Sequence, residues 1–312
     1  MTTLDVVKVT KRYGAEAALD GVSARFEPGI SVLLGRNGAG KTTLASIAGG
    51  WCEPDSGEVR LDGESCQVGC TRFLEVGVAP QGLAIYPTLT VNENLRVFAD
   101  LAGYDTAGRK RRVSELTDQL AIGGLRDRPA NTLSGGQQRC VHTAIALIAD
   151  PGVVLLDEPT VGVDVEHRRA LIDVVRALGR EGRTVLYTTH YLAELDALEP
   201  DNVVVLDAGR VRYAGSVAGL LERAVDGDIV VEFDRAVRPP AHLASSVQVD
   251  GRRWELRGAG EAGVGGLIAA LGDDAVHIRR LDVRKCDVEA AYLHLLDAAA
   301  AGIAEDVDVI AS

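Results

Sequence analysis

Residues Gly35 to Thr42 read GRNGAGKT, with glycines, a lysine and a hydroxyl at the spacing that wraps a polyphosphate. Gly35 and Gly40 can take backbone angles that other residues resist, so that consecutive N–H groups turn inward toward phosphate oxygens. Lys41 supplies a cation for the outer phosphates and Thr42 a hydroxyl for Mg²⁺. A second chemical pair ends the apolar run Val153 to Leu156, which reads as a strand buried on both faces. There Asp157 can hold Mg²⁺ through its water shell beside Thr42, and Glu158 can face the water that attacks a terminal phosphate. Gln81 follows the short strand Val76 to Ala79, and His190 follows the strand Thr184 to Thr189. Alone, each is an ordinary loop or packed residue. At the sheet edge that carries Asp157, Gln81 becomes a ligand-sensing side chain and His190 comes within reach of a γ-phosphate.

Two further stretches leave alternatives open. In Leu133 to Arg139, LSGGQQR, Ser134 can N-cap a helix running through Ala144, Ile145 and Ile148. Gly135 and Gly136 would then leave N–H groups uncovered for a phosphate, or simply form a flexible loop before the helix. Tyr13 lies upstream of the glycine loop, where its ring can stack on a base or pack within a hairpin.

The elements that must position these groups are legible in outline. Ile30 to Leu34 is a short apolar strand, and Thr43 to Ala48 can start a helix whose N-terminal dipole favours anions. Residues 4 to 9 read as an edge strand, Lys11 to Gly14 as its turn, and Val22 to Phe26 as a second strand. Glu53 to Gly57 is a dense turn signal, and the stretch Glu58 to Gly63, ending in Asp-Gly, is a surface hairpin. From Val91 to about Ala149 the pattern is helical, with Val91, Leu95 and Phe98, then Val113, Leu116 and Leu120, at helical spacing and with Asn92 and Glu93 capping the start. Asp164 caps a helix whose apolar face carries Leu171, Val174, Val175 and Leu178. Strands at Val203 to Leu206 and Val211 to Ala214 complete the sheet. This alternation is that of a right-handed α/β core.

A boundary is expected near Leu220 to Gly227. Beyond it lies a small α+β module in which Ile229, Val231 and Phe233 share a face. A hairpin at Val247 to Leu256, a helix at Ala262 to Leu271, a strand at Ala275 to Leu281 and a helix at Val288 to Leu296 complete it. The tail after Asp297 is expected to fray. Without a second phosphate loop or catalytic constellation, the module reads as regulatory or partner-docking.

Composition narrows the class. The 312 residues are 46% hydrophobic, ample for one large domain and a smaller one. No apolar stretch approaches the roughly 20 residues needed to cross a bilayer, and the N-terminus lacks a secretory pattern, so a cytoplasmic protein is expected. Five cysteines at 52, 66, 70, 140 and 286 have no paired C-x-x-C spacing, which favours reduced thiols over disulfides or zinc. A net charge of −12 argues against a nucleic-acid partner.

GRNGAGKT, the Gln81 loop, LSGGQQR, VVLLDEP, VGVD and TTH occur in that order, and over about residues 4 to 220 the chain resembles the ATP-binding subunit of an ABC transporter. The resemblance implies a phosphate-loop NTPase with a RecA-like core, an antiparallel β subdomain and a helical subdomain at about residues 85 to 150. The small C-terminal α+β module would span 221 to 298, with a tail at 299 to 312. It also implies ATP and Mg²⁺ as cofactors, with Gly35, Arg36, Asn37, Gly38, Ala39, Gly40, Lys41, Thr42 and Thr43 around the phosphates. Tyr13 would stack on adenine, and Lys41 would hold the β- and γ-phosphates. Thr42 and Gln81 would coordinate Mg²⁺ together with Asp157, Glu158 would polarise the attacking water, and His190 would contact the γ-phosphate. The Ser134, Gly135, Gly136 and Gln137 segment would complete the site of a second ATP-binding subunit, most simply in a homodimer. A separate membrane permease would be the further partner, docked near Tyr86 to Thr90, which places the chain at the cytoplasmic face of the membrane. YPTLTVNENL and the C-terminal module look most like bacterial drug, polysaccharide or antibiotic exporters of the ABC-2 type. Departures from the pattern are Ile30 for a common acid, Arg36 for proline, and Val163 and Val165 for leucine and proline around Asp164. A soluble ABC ATPase without a transport role, or an ATP-binding regulatory subunit, is the alternative.

Overall fold

The computed structural model describes residues 2–222, 229–240, 243, 247–256, 260–283 and 288–300. Cys286 and the tail beyond Ala300 lie outside the described residues. Packing divides the chain after Ser216 into two compact units.

In the first unit the elements run β1 (Leu4–Tyr13), β2 (Glu16–Phe26), β3 (Gly29–Leu34), α1 (Lys41–Ala48), β4 (Ser56–Leu61), β5 (Glu64–Cys66) and β6 (Val76–Ala79). Three helices follow, α2 (Val91–Leu101), α3 (Thr106–Gln119) and α4 (Gly135–Leu147). Then come β7 (Val153–Asp157), α5 (Val165–Arg180), β8 (Thr184–Thr189), α6 (Ala193–Leu198), β9 (Asn202–Asp207) and β10 (Arg210–Gly215). Six of these strands form one sheet in the order β10-β9-β3-β8-β7-β6, parallel throughout except for the β9–β10 hairpin. Strands β3, β7 and β8 are buried at every residue, as expected of the middle of a parallel sheet covered on both faces.

Strand register decides where the chemistry meets. Leu34 lies beside Thr189, Asp157 beside Thr188, and Ala79 beside Leu156. The loops carrying Gly35, Gln81, Glu158 and His190 therefore all leave one edge of one sheet, the carboxyl edge where open parallel sheets bind ligands.

A second, antiparallel sheet has the order β2-β1-β4-β5. Strand β1 pairs on both sides, with Leu4 opposite Phe26 and Leu61, so it is an interior strand and not the expected edge. Its hairpin also runs longer than expected. Lys11 and Arg12 remain in the strand, and the turn closes only beyond Tyr13, which pairs with Glu16. Leu4, Phe26, Leu33, Leu44, Leu61, Leu155, Leu186 and Val204 belong to one continuous apolar core that joins both sheets to α1. The four described cysteines are free.

In the helical region Thr90, not Asn92, is the N-cap of α2: its hydroxyl accepts from Glu93 N–H while the Glu93 carboxylate accepts from Thr90 N–H. A side chain can cap only from outside the helix, and Asn92 already lies in the first turn.

The second unit contains α7 (Val217–Glu222), β11 (Ile229–Phe233), β12 (Val247–Asp250), β13 (Arg253–Leu256), α8 (Gly260–Leu271), β14 (Ile278–Val283) and α9 (Val288–Ala300). Its antiparallel sheet has the order β12-β13-β11-β14. Ile229, Val231 and Phe233 pack with Trp254, Leu256, Leu267 and Leu271, and the Phe233 and Trp254 rings lie 4.7 Å apart. The strand expected from Ala275 begins instead at Ile278, because Gly272–His277 forms a 3₁₀ turn. Helix α9 continues past Leu296 to Ala300.

Candidate functional site

Helix α1 begins at Lys41, and its N-cap is Gly40 at φ +105°, with no side chain capping the first turn. The N–H groups of that turn are thus left for an anion. A Cβ on residue 40 would also lie 2.4 Å from the Ala18 carbonyl oxygen, so both space and backbone angle require glycine. At position 35 the requirement differs from the sequence expectation. Gly35 is not left-handed, and the positive angle falls on Gly38 at φ +83°. Gly35 is needed because a Cβ there would meet the Leu206 carbonyl oxygen at 2.5 Å. Ala39 is buried, its carbonyl accepting from Gly209 N–H at 3.1 Å, whereas Arg36, Asn37 and Gly38 are exposed on the rim.

Lys41 is only 5% exposed. Its Nζ donates to the carbonyls of Gly35 at 2.8 Å and Arg36 at 3.2 Å, and lies 3.4 Å from Glu158 Oε1. Glu158 is 7% exposed and is the junction of the site. His190 Nδ1 sits 2.9 Å from the same Oε1, and Gln81 Nε2 donates to Oε2 at 3.4 Å. Burial pushes the Glu158 carboxyl up, but the His190 hydrogen bond and then the Lys41 charge outweigh it, so the group sits below the ordinary glutamate value. Glu158 is therefore ionised at neutral pH. Its backbone is left-handed, at φ +49°, immediately before Pro159. That conformation costs about 1–3 kcal/mol for a residue with a side chain. It is held by Thr188, whose hydroxyl and carbonyl accept from Glu158 N–H at 3.0 and 3.2 Å.

Thr188 also donates its hydroxyl to Asp157 Oδ1. The other carboxylate oxygen, Oδ2, is buried without a hydrogen-bond partner in a residue only 2% exposed. A buried anionic oxygen left over in this way fits the outer shell of a hydrated divalent cation. Among the described residues no cluster of three or more His, Cys, Asp or Glu side chains could hold a metal unaided. Mg²⁺, which keeps several waters and leans on phosphate oxygens, suits such a sparse donor set.

An open cleft of about 380 Å³ is lined by Tyr13, Asn37, Gly38, Gly40, Lys41, Thr42, Thr43, Gln81 and Glu158, while Asp157 and His190 do not line it. Tyr13 is 57% exposed at its mouth, with its hydroxyl 3.9 Å from Cys52 Sγ and the Lys11 ammonium 5.9 Å from its ring centroid. Glu16 and Ala18 line the same cleft, and sequence reasoning did not find them. Their only sequence signal is proximity to the Tyr13 turn. Thr188 was missed too, although a hydroxyl at the end of the strand parallel to β7 is a usable hint.

The LSGG segment lies elsewhere. Ser134 caps α4 by accepting from Gln137 N–H, and the Gln137 side chain accepts in return from Ser134 N–H. Gly135 is exposed, and the N–H groups of Gly135 and Gly136 open the helix without an intrahelical acceptor. Gly136 is buried against the next turn, where a Cβ would lie 3.0 Å from Val163 Cα. None of Ser134, Gly135, Gly136 or Gln137 lines the cleft of its own chain. Asp164, in the turn beside Gly136, caps α5 through His167 N–H. The Tyr86 to Thr90 turn is pinned by Asn94, a fully buried amide that accepts from Tyr86 N–H and donates to the carbonyls of Tyr86, Leu89 and Thr90. Tyr86 itself is half exposed. No helix among the described residues is long and apolar enough to cross a membrane.

Comparison with known proteins gives this arrangement a context. The family described as ABC transporter matches residues 19–161. The linearmycin resistance ATP-binding protein LnrL of Bacillus subtilis (strain 168) is 30% identical over 305 residues, covering 94% of this chain and 97% of that protein. The Nod factor export ATP-binding protein I of Ralstonia nicotianae (strain ATCC BAA-1114 / GMI1000) is 36% identical over 229 residues, covering 73% and 71%. Among solved structures, the dimeric post-hydrolysis state of the ATP-binding cassette MJ0796, bound to ADP and Pi, superposes with a TM-score of 0.62 at 25% identity, covering 68% of this chain and 98% of that one.

Proposed function

The chain belongs to the ABC transporter family, and we propose that it is the subunit that binds and hydrolyses ATP to drive export through a separate membrane-spanning permease. One observation carries the reading: the buried Glu158 carboxylate is touched at once by Lys41, His190 and Gln81, at the mouth of a glycine loop whose helix is left uncapped. Phosphoryl transfer asks for little more than positioning and charge stabilisation, and these groups supply both.

In this reading Lys41 leaves the loop carbonyls to neutralise the β- and γ-phosphates, and the first-turn N–H groups of α1 bind the remaining oxygens. Tyr13 packs against the adenine. Glu158, ionised, polarises the in-line water, and His190 positions that carboxylate against the γ-phosphate. Thr42, Gln81 and Asp157 would hold Mg²⁺, which when bound would supply positive charge against the charge developing on the transferred phosphoryl. The Ser134 to Gln137 segment stands ready for a second copy's nucleotide, since it does not line its own cleft. A homodimer closed over two ATP molecules follows. The solved ADP-bound cassette is itself dimeric, which supports this arrangement.

Export is favoured because the two relatives are a linearmycin resistance protein and a Nod factor export protein. The exposed Leu83 and Tyr86, on a loop held by Asn94, are the proposed permease contact at the cytoplasmic face of the membrane. The second unit is proposed as a regulatory or docking module.

Glu158→Gln tests the hydrolytic core. The variant is expected to accumulate an ATP-bound dimer on gel filtration, with ATPase activity reduced about 100-fold or more. A variant that binds ATP yet stays monomeric would overturn the two-subunit site.

A further inference from the structure

The helix that opens with Ser134 also grips the Gln81 loop. His142, two turns along α4 and 2% exposed, accepts a hydrogen bond at Nε2 from Ala84 N–H at 3.2 Å. One turn earlier, Arg139 Nη1 donates to the Pro80 carbonyl at 3.4 Å. Pro80 and Ala84 flank Gln81 on either side, so one rigid helix holds both ends of the segment that delivers the Gln81 amide to Glu158. An imidazole that accepts through Nε2 carries its proton on Nδ1 and must be neutral. Burial, with the nearby Arg139 charge, lowers the His142 pKa to about 4, so the acceptor persists through the ordinary pH range.

We propose that His142 is a positioning residue for ATP hydrolysis: through Ala84 N–H it fixes the backbone beyond Gln81 and thereby the reach of the Gln81 side chain to Glu158. The inference rests on the role proposed above for Gln81. Its consequence is that the helix offering Gly135 and Gly136 to a second copy's nucleotide is the same body that sets Gln81 in its own site. A shift of α4 on dimer closure therefore reaches both sites at once.

Replacement of His142 by glutamine and by asparagine separates reach from polarity. Glutamine can place its carbonyl oxygen near the position of Nε2, whereas asparagine falls one methylene short; both are neutral. The whole chain is assayed for steady-state ATPase activity with Mg²⁺ and ATP, and for amide hydrogen exchange over Gly82 to Tyr86. His142→Gln is expected to keep kcat within about twofold and parental exchange, while His142→Asn lowers kcat about fivefold to tenfold with KM for ATP little changed and speeds exchange several-fold. Equal behaviour of the two variants, or a glutamine variant that does not fold, would overturn the proposal. A parent without ATPase activity would refute the hydrolytic reading, and the exchange contrast would still decide whether His142 holds the loop.

Discussion

The same histidine makes a sharp prediction about acid stability. In the unfolded chain it takes a proton near the ordinary value of 6.5, but in the folded chain only at about 4. Between those values the unfolded state binds more protons, so the group's share of stability is complete above about 6.5 and is lost progressively as the pH falls toward 4. Each pH unit between the two values is worth about 1.36 kcal/mol, so the full loss is about 3 kcal/mol, of which about 2 kcal/mol has gone by about pH 5. The His142→Gln variant keeps the Ala84 hydrogen bond without a titrating ring and should lack this component. Urea unfolding of parent and variant, followed by far-UV circular dichroism at about pH 7.5 and about pH 5, isolates it, because the carboxylates that also titrate are common to both chains. The parent should lose about 2 kcal/mol more than the variant on acidification. Equal losses would show that His142 is not held neutral, and that the solvent-excluded environment assigned to it is wrong.

Two other substitutions address the rest of the site. Gly40→Ala places a methyl 2.4 Å from the Ala18 carbonyl at φ +105°, and should cost about 1–3 kcal/mol and abolish ATP binding, measured by thermal melting and by titration calorimetry; tight binding would mean that the loop backbone yields to the added methyl. Ser134→Ala removes the α4 cap, costing about 1 kcal/mol, and should suppress ATPase activity while leaving ATP affinity of the monomer unchanged; full turnover would exclude Ser134 from the completed site.

Much of the site was legible because each of its motifs is local. GRNGAGKT contains its own turn and helix start, and the Ser134 cap needs only Gln137, three residues away. Where expectation and structure parted, the missing information was spatial. Gly35 looked like a residue chosen for its backbone angle, but the carbonyl of Leu206, 171 positions later, is what excludes a side chain there. Strand β1 looked like an edge because nothing in its own sequence records that β4 returns to cover it. The cap of α2 lies at Thr90, two residues before the expected Asn92, because Thr90 and Asn92 both have capping side chains and only the extended backbone at residue 90 selects between them.

By itself, then, the sequence determined which chemical groups are present and which element ends carry them, because short-range spacing and hydrophobic period reside in contiguous residues. It also determined the family. Only the tertiary structure decided that Lys41, Gln81 and His190 converge on one carboxylate, because that depends on the register of four parallel strands. Only the fold, likewise, brought His142 against the Ala84 N–H, a contact that chain spacing does not encode.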